Sequence, residues 1–294
     1  MAKKTTRKSS VLKGRLRRIE GRHNSLLKEL RSAFARGERA GGCCAIEGLR
    51  IIEEAIRSGL KFKAVFFSES AAARAERLLP QIGAHVETLL VPDRLLASAV
   101  PSETPQGIAA LVYCKEFSLE DVLAKAEAGP VLVIAGVQDP GNLGTILRSA
   151  EAFGAGGVIL GEGSVSPFNS KVIRASAGSL FRLAVAKAEM KTAIAALRAR
   201  GTRLLATSSH KGTPLPDAQV AGPLAIFVGS EGAGLPRELM AEMDEVLVIP
   251  HSLKVESLNA GVAASIVLYE IARGSSPARQ GEAEENSFAG SEHE

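Results

Sequence analysis

Five nearly continuous apolar runs dominate the second half of the chain, and each is followed by a polar or glycine-rich loop. The runs are Val131–Val137, Gly157–Leu160, Leu204–Ala206, Leu224–Val228 and Val246–Ile249. Runs of this length without polar alternation are typical of strands covered on both faces, and helical segments lie between them. The pattern predicts an α/β fold with a parallel sheet whose ligands bind at the carboxyl ends of the strands.

Length and composition limit the class of protein further. The chain has 294 residues, and since a domain usually has about 100–200 residues, two domains are expected. A hydrophobic fraction of 46% with 23% charged residues excludes wholesale disorder. No apolar run approaches the roughly 18 residues of a membrane-spanning helix, and no apolar stretch follows the first charged residues. We therefore expect a cytoplasmic protein.

Turn-rich segments divide the chain into five parts. Leu and Ile at three- and four-residue steps predict one amphipathic helix from Val11 to Phe34, outside the domain that follows. A helical connector, Ser118 to Ala128, ends at Gly129-Pro130. We predict a basic helical extension (1–40), a small α/β domain (41–115), a linker (116–130), the parallel-sheet domain (131–274) and a disordered acidic tail (275–294).

The charge of the chain is unevenly distributed. Residues 1–40 carry 13 Lys or Arg against 3 Glu, and residues 275–294 carry 5 Glu against 1 Arg. A basic arm on a nearly neutral body indicates nucleic-acid binding, since cationic side chains neutralise phosphates. A merely solvated arm and a transit peptide remain open as alternatives.

The cysteines and histidines indicate no metal and no disulfide framework. Cys43, Cys44 and Cys114 are predicted to be small buried thiols in a reducing compartment. The five histidines lack the paired spacing of a zinc site.

The first loop that could carry chemistry runs from Gln138 to Gly144 and leads into a helix. We predict Asn142 as the N-cap of this helix. Its core stripe is predicted to be Leu143, Ile146, Leu147, Ala150 and Phe153. Arg148 lies on another face, one turn after Gly144. It is either a solvated helix charge or a ligand for a phosphate or hydroxyl group.

The other two loops follow later strands. Gly229–Pro236 places three glycines around Glu231, which allows close backbone approach to a ligand; a tight strand-to-helix turn is the alternative. Pro250–Asn259 precedes a helix that begins with small residues, which permits close approach by another backbone. Ser257 and Asn259 are predicted helix caps, and capping could be their whole role.

Together the three loops resemble the SpoU/TrmH class of SPOUT RNA methyltransferases. The motif Asn-x-Gly-x-x-x-Arg is matched by Asn142, Gly144 and Arg148; Gly-x-Glu-Gly-x-Gly by Gly229 to Gly234; and Ile-Pro followed by Ser-Leu-Asn by Ile249-Pro250 and Ser257-Leu258-Asn259. Residues 41–115 resemble the substrate-binding domain often fused upstream. The chain departs from the family at His251-Ser252-Leu253, where Met-x-Gly is usual. We interpret His251 as an ordinary exposed loop histidine.

The resemblance implies methyl transfer from S-adenosylmethionine to a ribose 2′-hydroxyl of structured RNA, ribosomal RNA being favoured. It also implies a trefoil knot in the parallel-sheet domain and a homodimer. The implied catalytic residues are Arg148, Asn142, Glu231, Ser257 and Asn259, and the implied cofactor-binding residues are Thr207, Gly229, Ile249 and Leu258. Because a guanidinium resists deprotonation, Arg148 is expected to orient groups and stabilise charge rather than act as a base.

Three other functions compete with this one. A catalytically silent RNA-binding relative predicts a damaged cofactor loop, whereas Gly229–Gly234 is intact. Transfer RNA shares these motifs as a substrate. A Rossmann-type oxidoreductase needs a glycine fingerprint near its first strand, which this sequence lacks. The aromatic content of 4%, with no Trp, favours recognition of RNA by shape and backbone.

Overall fold

The computed structural model describes residues 15–38, 42–252 and 254–274. These residues form two compact units. The first contains the described residues up to Lys115 together with Ser166–Arg182, and the second contains Glu116–Val165 and the described residues from Leu183 onward. The predicted acidic tail, the start of the basic arm and Leu253 lie outside the described residues.

A mixed sheet forms the centre of the first unit. Its described strands are β1 (Arg17–Arg18), β2 (Cys43–Glu47), β3 (Lys61–Ser68), β4 (Glu87–Val91) and β5 (Ile108–Tyr113), in the order β1-β4-β3-β5-β2. Strand β5 runs antiparallel to both β2 and β3, and β4 is parallel to β1 and β3. Phe66 and Phe67 of β3 are both fully buried. Because neighbouring side chains of a strand point to opposite faces, both faces of this sheet are covered.

The helices of this unit include α1 (Ser25–Arg36), α2 (Leu49–Arg57), α3 (Ala72–Leu78) and α4 (Asp93–Ala97). Helix α2 buries Ile51, Ile52 and Ala55 on one face. Strand β2, immediately before it, was not predicted.

The predicted single helix from Val11 to Phe34 is wrong. Arg17–Arg18 pairs with β4 as a strand, and α1 begins only at Ser25, after Asn24 caps it by accepting a hydrogen bond from Leu27 N. Leu27 and Leu30 are fully buried in the core of the first unit. The described part of the predicted extension therefore belongs to the domain instead of lying outside it.

The cysteine prediction also requires correction. Cys44 and Cys114 form a disulfide, and Cys43 is free and buried. The antiparallel register of β2 and β5 pairs Cys44 with Val112, which brings Cys114 into reach although it is 70 residues away. Burial raises the pKa of the Cys43 thiol, so Cys43 stays protonated and unreactive.

A parallel sheet forms the centre of the second unit. Its described strands are β6 (Val131–Ile134), β7 (Gly157–Leu160), β8 (Val185–Lys187), β9 (Arg203–Ser208), β10 (Thr213–Pro214), β11 (Leu224–Val228) and β12 (Glu245–Val248), in the order β10-β12-β9-β11-β6-β7-β8. Each of the five apolar runs overlaps one strand, and the sheet is parallel, which confirms the predicted parallel-sheet α/β class. Strands β8 and β10, of three and two residues, are too short to show a pattern.

The described helices of the later chain are α5 (Leu119–Leu123), α6 (Pro140–Ala152), α7 (Ser170–Ala175), α8 (Met190–Arg198), α9 (Arg237–Met240) and α10 (Ala260–Gly274). The predicted connector helix is limited to α5, whose Val122 and Leu123 join the core of the second unit. Helix α7 belongs to the first unit, where Arg174 donates to Ser102 Oγ, 2.6 Å away. None of the described helices is long and apolar enough to cross a membrane.

Helix α10 packs against α6. The hydroxyl oxygens of Ser149 and Ser265 lie 2.6 Å apart, and Phe153 meets Tyr269 edge to face at 5.8 Å between ring centroids. A Cβ at Gly261 would lie 3.1 Å from the Thr145 side chain. The small residues at the start of α10 thus allow the predicted close approach. The trefoil knot stays a prediction.

Replacing Leu30 by alanine tests the assignment of α1 to the core. We expect Leu30→Ala to lower the free energy of unfolding by about 2–5 kcal/mol, because it leaves a cavity in a buried cluster. Lys28→Ala, on the exposed face of the same helix, is the control and should change it by less than about 0.5 kcal/mol. Equal urea midpoints for the two variants would show that α1 lies outside the core.

Candidate active site

The candidate site lies at the carboxyl edge of the parallel sheet. Strands β12, β9, β11 and β6 are consecutive neighbours in that sheet. Because parallel strands end at the same edge, the loops after β6, β11 and β12 all emerge there, with β9 between β11 and β12. These are the three loops that the sequence indicated.

Helix α6 carries the residues of the first loop. Its N-cap is Asp139, whose Oδ1 accepts a hydrogen bond from Asn142 N at 2.8 Å, with Pro140 at the first helical position. The prediction of Asn142 as the N-cap is therefore wrong. Proline fixes a helical φ and lacks an N–H, so it favours a helix that begins two residues before Asn142. The side chain of Asn142 is left to make contacts outside the helix.

The Asn142 amide links the other two loops. Its Nδ2 donates to Glu231 Oε1 at 2.8 Å, and its Oδ1 accepts from Asn259 Nδ2 at 2.7 Å. Asn142 is 8% exposed, so these two bonds are made largely out of water. A buried amide without partners costs about 1–3 kcal/mol, which makes the two contacts strongly favoured. Three residues that are 89 and 117 positions apart thus form one hydrogen-bonded cluster.

Asn259 has a second task at the start of α10. Its Oδ1 accepts from Gly261 N at 3.0 Å and from Val262 N at 3.2 Å, which confirms it as a helix cap. Ser257, the other predicted cap, is exposed in the loop before the helix. The position of the third loop is therefore fixed by the helix end and by Asn142 together.

The glycine-rich loop after β11 closes on itself. Ser230 and Gly234 exchange two backbone hydrogen bonds of 3.1 and 3.0 Å. A Cβ at Gly229 would lie 2.1 Å from the Gly234 carbonyl carbon, and Gly234 has a φ of +65°. Both positions consequently require glycine. Glu231 lies within this narrow turn, whose backbone hydrogen bonds fix its position.

Arg148 projects from the same helix as Asn142. Its side chain is exposed, and Gly144, one turn before it, is buried. Its guanidinium makes no hydrogen bond or ion pair to any of the described residues. Its guanidinium is thus available to an anionic or polar ligand beside the three loops.

The cofactor-binding residues implied by the family resemblance lie at the carboxyl edge of the parallel sheet or in the loop that follows it. Thr207 lies near the end of β9 and donates from Oγ1 to Phe227 O at 3.2 Å, while Gly229 and Ile249 directly follow β11 and β12. Because the three strands are neighbours, these positions are adjacent in the sheet. Leu258 is half-buried in the third loop.

Two histidines border this edge, and the sequence reasoning misjudged one and missed the other. His251 is half-buried rather than exposed, and its Nδ1 donates to Ile249 O at 2.7 Å, because a carbonyl only accepts. His210 follows β9, and its ring centroid lies 6.4 Å from that of His251. Its position just after a strand end was the available signal.

Two known families match separate parts of the chain. Residues 24–110 match the MRM3-like substrate binding domain, and residues 129–269 match the SpoU rRNA Methylase family. The first match begins within the segment that was predicted to be an extension, in agreement with the burial of α1.

Individual relatives match nearly the whole chain. The 23S rRNA (guanosine(2553)-2'-O)-methyltransferase RlmP of Bacillus subtilis is 31% identical, covering 87% of this chain and 99% of its own. The AdoMet-bound rRNA methyltransferase of Sinorhizobium meliloti superposes with a TM-score of 0.78 at 27% identity, covering 89% and 99%. The SpoU methyltransferase AviRb of Streptomyces viridochromogenes, in complex with AdoMet, gives 0.73 at 26% identity, covering 86% and 98%.

Replacing the amide donor of one hydrogen bond by an acceptor tests the cluster of Asn142, Glu231 and Asn259. Asn142→Asp places a carboxylate oxygen against Glu231, and we expect it to lower the free energy of unfolding by about 1–3 kcal/mol. Adding Glu231→Gln restores a donor and should recover most of that loss. The thermal unfolding midpoints of the wild type, both single variants and the double variant form a double-mutant cycle. A purely additive cycle would mean that Asn142 and Glu231 do not interact.

Proposed function

The chain belongs to the SpoU rRNA methylase family, and we propose that it methylates a ribose 2′-hydroxyl of ribosomal RNA at the Asn142 cluster. Its activity is the S-adenosylmethionine-dependent RNA 2′-O-methyl transfer of that family. Ribosomal RNA is favoured over transfer RNA because the Bacillus subtilis relative is named for 23S rRNA and the Sinorhizobium meliloti structure for rRNA. We place this activity in the cytoplasm and expect it to need no metal.

The observation that carries the proposal is the bonding of Asn142 to both Glu231 and Asn259, with Arg148 six residues further along α6. A catalytically silent relative would have no need for three loops fixed against each other. The closed turn at Gly229–Gly234 likewise supports a working cofactor site.

The residues at the sheet edge fit S-adenosylmethionine. Once bound, this cofactor supplies a methyl group on a positively charged sulfur. The positions Thr207, Gly229, Ile249 and Leu258 offer mainly backbone N–H and C=O groups, because they lie at or beyond the ends of strands. Such neutral donors and acceptors suit an adenine and an amino-acid moiety. A side chain at Gly229 would collide with Gly234, so the narrow turn depends on glycine there.

We assign the protein's part of the reaction to positioning and charge. Methyl transfer needs the hydroxyl to be held in line with the donor, and the guanidinium of Arg148 is free to bind it or the adjacent phosphate. As the 2′-oxygen gains the methyl group, its proton passes to solvent water, and Arg148 stabilises the negative charge that develops on the oxygen. The hydrogen bonds of Asn142 with Glu231 and Asn259 hold α6 and the two loops in fixed relative positions. Ser257 is exposed in the third loop and is available for contact with RNA.

We also propose that the chain acts as a homodimer through α10. Val262, Ile266 and Tyr269 are 46%, 37% and 53% exposed and lie at positions i, i+4 and i+7 of this helix. Residues at that spacing share one helix face. An exposed apolar stripe beside the candidate site is the kind of surface that a second copy would cover.

Arg148→Ala tests the assignment of the catalytic arginine. Affinity for S-adenosylmethionine should stay within about three-fold, which is under 1 kcal/mol, since the implied cofactor contacts come from the loops. Methyl transfer to ribosomal RNA transcribed in vitro should be lost, as measured with radiolabelled cofactor. Lys191→Ala, an exposed cation on α8, should behave as the wild type. Near-normal turnover by Arg148→Ala would remove this residue from the site.

Ile266→Arg tests the dimer. A charge in the centre of the exposed stripe should convert a dimer into a monomer in size-exclusion chromatography with light scattering, because an unpaired charge is costly in an interface. Val255→Arg alters another exposed apolar residue, outside α10, and should leave the mass unchanged. A wild-type monomer, or a dimer that survives Ile266→Arg, contradicts the proposal.

A further inference from the structure

The first unit contains a cavity of about 420 Å³ that the methyl-transfer site does not use. It is lined by the end of β3 and the turn after it, by α3 and α4, and by the loop that precedes β5. Small-molecule sites in proteins measure about 300–1,000 Å³, so this cavity has room for one nucleotide.

A fixed carboxylate lies in the cavity wall. Asp93, at the start of α4, accepts hydrogen bonds from the hydroxyl and the backbone N–H of Ser70. The hydroxyl of Ser70 holds the pKa of Asp93 below its usual value, so the group is ionised at neutral pH. The Ser68 side chain and the backbone N–H of Asp93 lower this pKa further. A carboxylate has about four acceptor positions, and among the described residues the hydrogen bonds to it come from the hydroxyl and the backbone N–H of Ser70, so acceptor capacity remains.

Two arginines give the cavity a net positive charge. Arg74 donates to the backbone carbonyl of Gln106 and so holds the loop before β5 against α3. Arg94 is exposed, and its guanidinium makes no hydrogen bond or ion pair to any described residue. A free guanidinium can stack on a base or bind a phosphate, and the sequence has no Trp and only 2 Tyr for stacking.

We propose that this cavity binds an unpaired guanine of the substrate RNA, with Asp93 reading its Watson–Crick edge and Arg94 contacting its face or phosphate. The inference rests on the proposed function in so far as the ligand is part of an RNA. Proteins that read RNA sequence mostly bind bases that have left the helix. Guanine is the base whose pairing edge presents two adjacent donors, N1–H and N2–H, to the two oxygens of one carboxylate. The pocket therefore anchors the RNA through one base in the substrate-binding unit.

Mononucleotide binding to the full chain tests base recognition directly. Guanosine 5′-monophosphate should bind more tightly than the adenosine, cytidine and uridine monophosphates and than ribose 5-phosphate. Asp93→Asn should weaken the binding of guanosine monophosphate about ten-fold and abolish the preference for it over the other nucleotides. Glu76→Gln, which removes an exposed carboxylate of α3 outside the cavity, should change neither the affinity nor the preference. Equal binding of ribose 5-phosphate, or an unchanged preference in Asp93→Asn, would overturn the guanine site in favour of a plain phosphate contact.

A kinetic comparison places the pocket in the reaction. Asp93→Asn and Ala97→Leu, which narrows the cavity, should raise the KM for ribosomal RNA several-fold while kcat and the affinity for S-adenosylmethionine stay unchanged. Ala73→Leu, at an exposed position of α3 outside the cavity lining, is the control for added volume. Unchanged KM values in both variants would contradict the role in RNA binding. A wild type that transfers no methyl group would instead defeat the proposed function, and the mononucleotide preferences would still decide the pocket.

Discussion

The arrangement of the candidate site depends on the buried side chain of Asn142. One amide satisfies Glu231 from the loop after β11 and Asn259 from the loop after β12, and losing either partner would leave a polar group unpaired out of water. Asn259 also caps α10, which packs through Gly261 and Ser265 on the helix that carries Asn142. Loop positions and helix packing are therefore coupled, and Arg148 is presented from a rigid support.

Much of the second unit was predictable from the sequence because its signals are local. A buried strand needs a run of apolar residues, and a turn as narrow as Gly229–Gly234 needs glycine, so both are visible in the order of residues. Asn142, Glu231 and Asn259 were identified as a group, but not the bonds between them. Those bonds join residues 89 and 117 positions apart, and they exist only after the strands align the loops.

The incorrect sequence predictions arise from contacts between segments that are distant in the chain. The helical spacing before Ser25 looked continuous, yet pairing with β4 makes Arg17–Arg18 a strand. The pairing of Cys44 with Cys114 follows from the register of β2 and β5, which no cysteine spacing reveals. The N-cap is Asp139 and not Asn142, because Pro140 favours a helix that starts earlier. The cavity beside Asp93 combines three separate segments, so no single motif pointed to it.

Calorimetric titration with S-adenosylmethionine tests most directly whether the Asn142 cluster builds the cofactor site. The wild type should bind, and Asn142→Ala should bind at least about ten-fold more weakly, a loss of roughly 1.4 kcal/mol, because the loops after β11 and β12 lose their common partner. Thermal unfolding of the variant shows that it is folded at the titration temperature. Equal affinity in a folded Asn142→Ala variant would contradict the account, because the loops would then hold their positions without this residue.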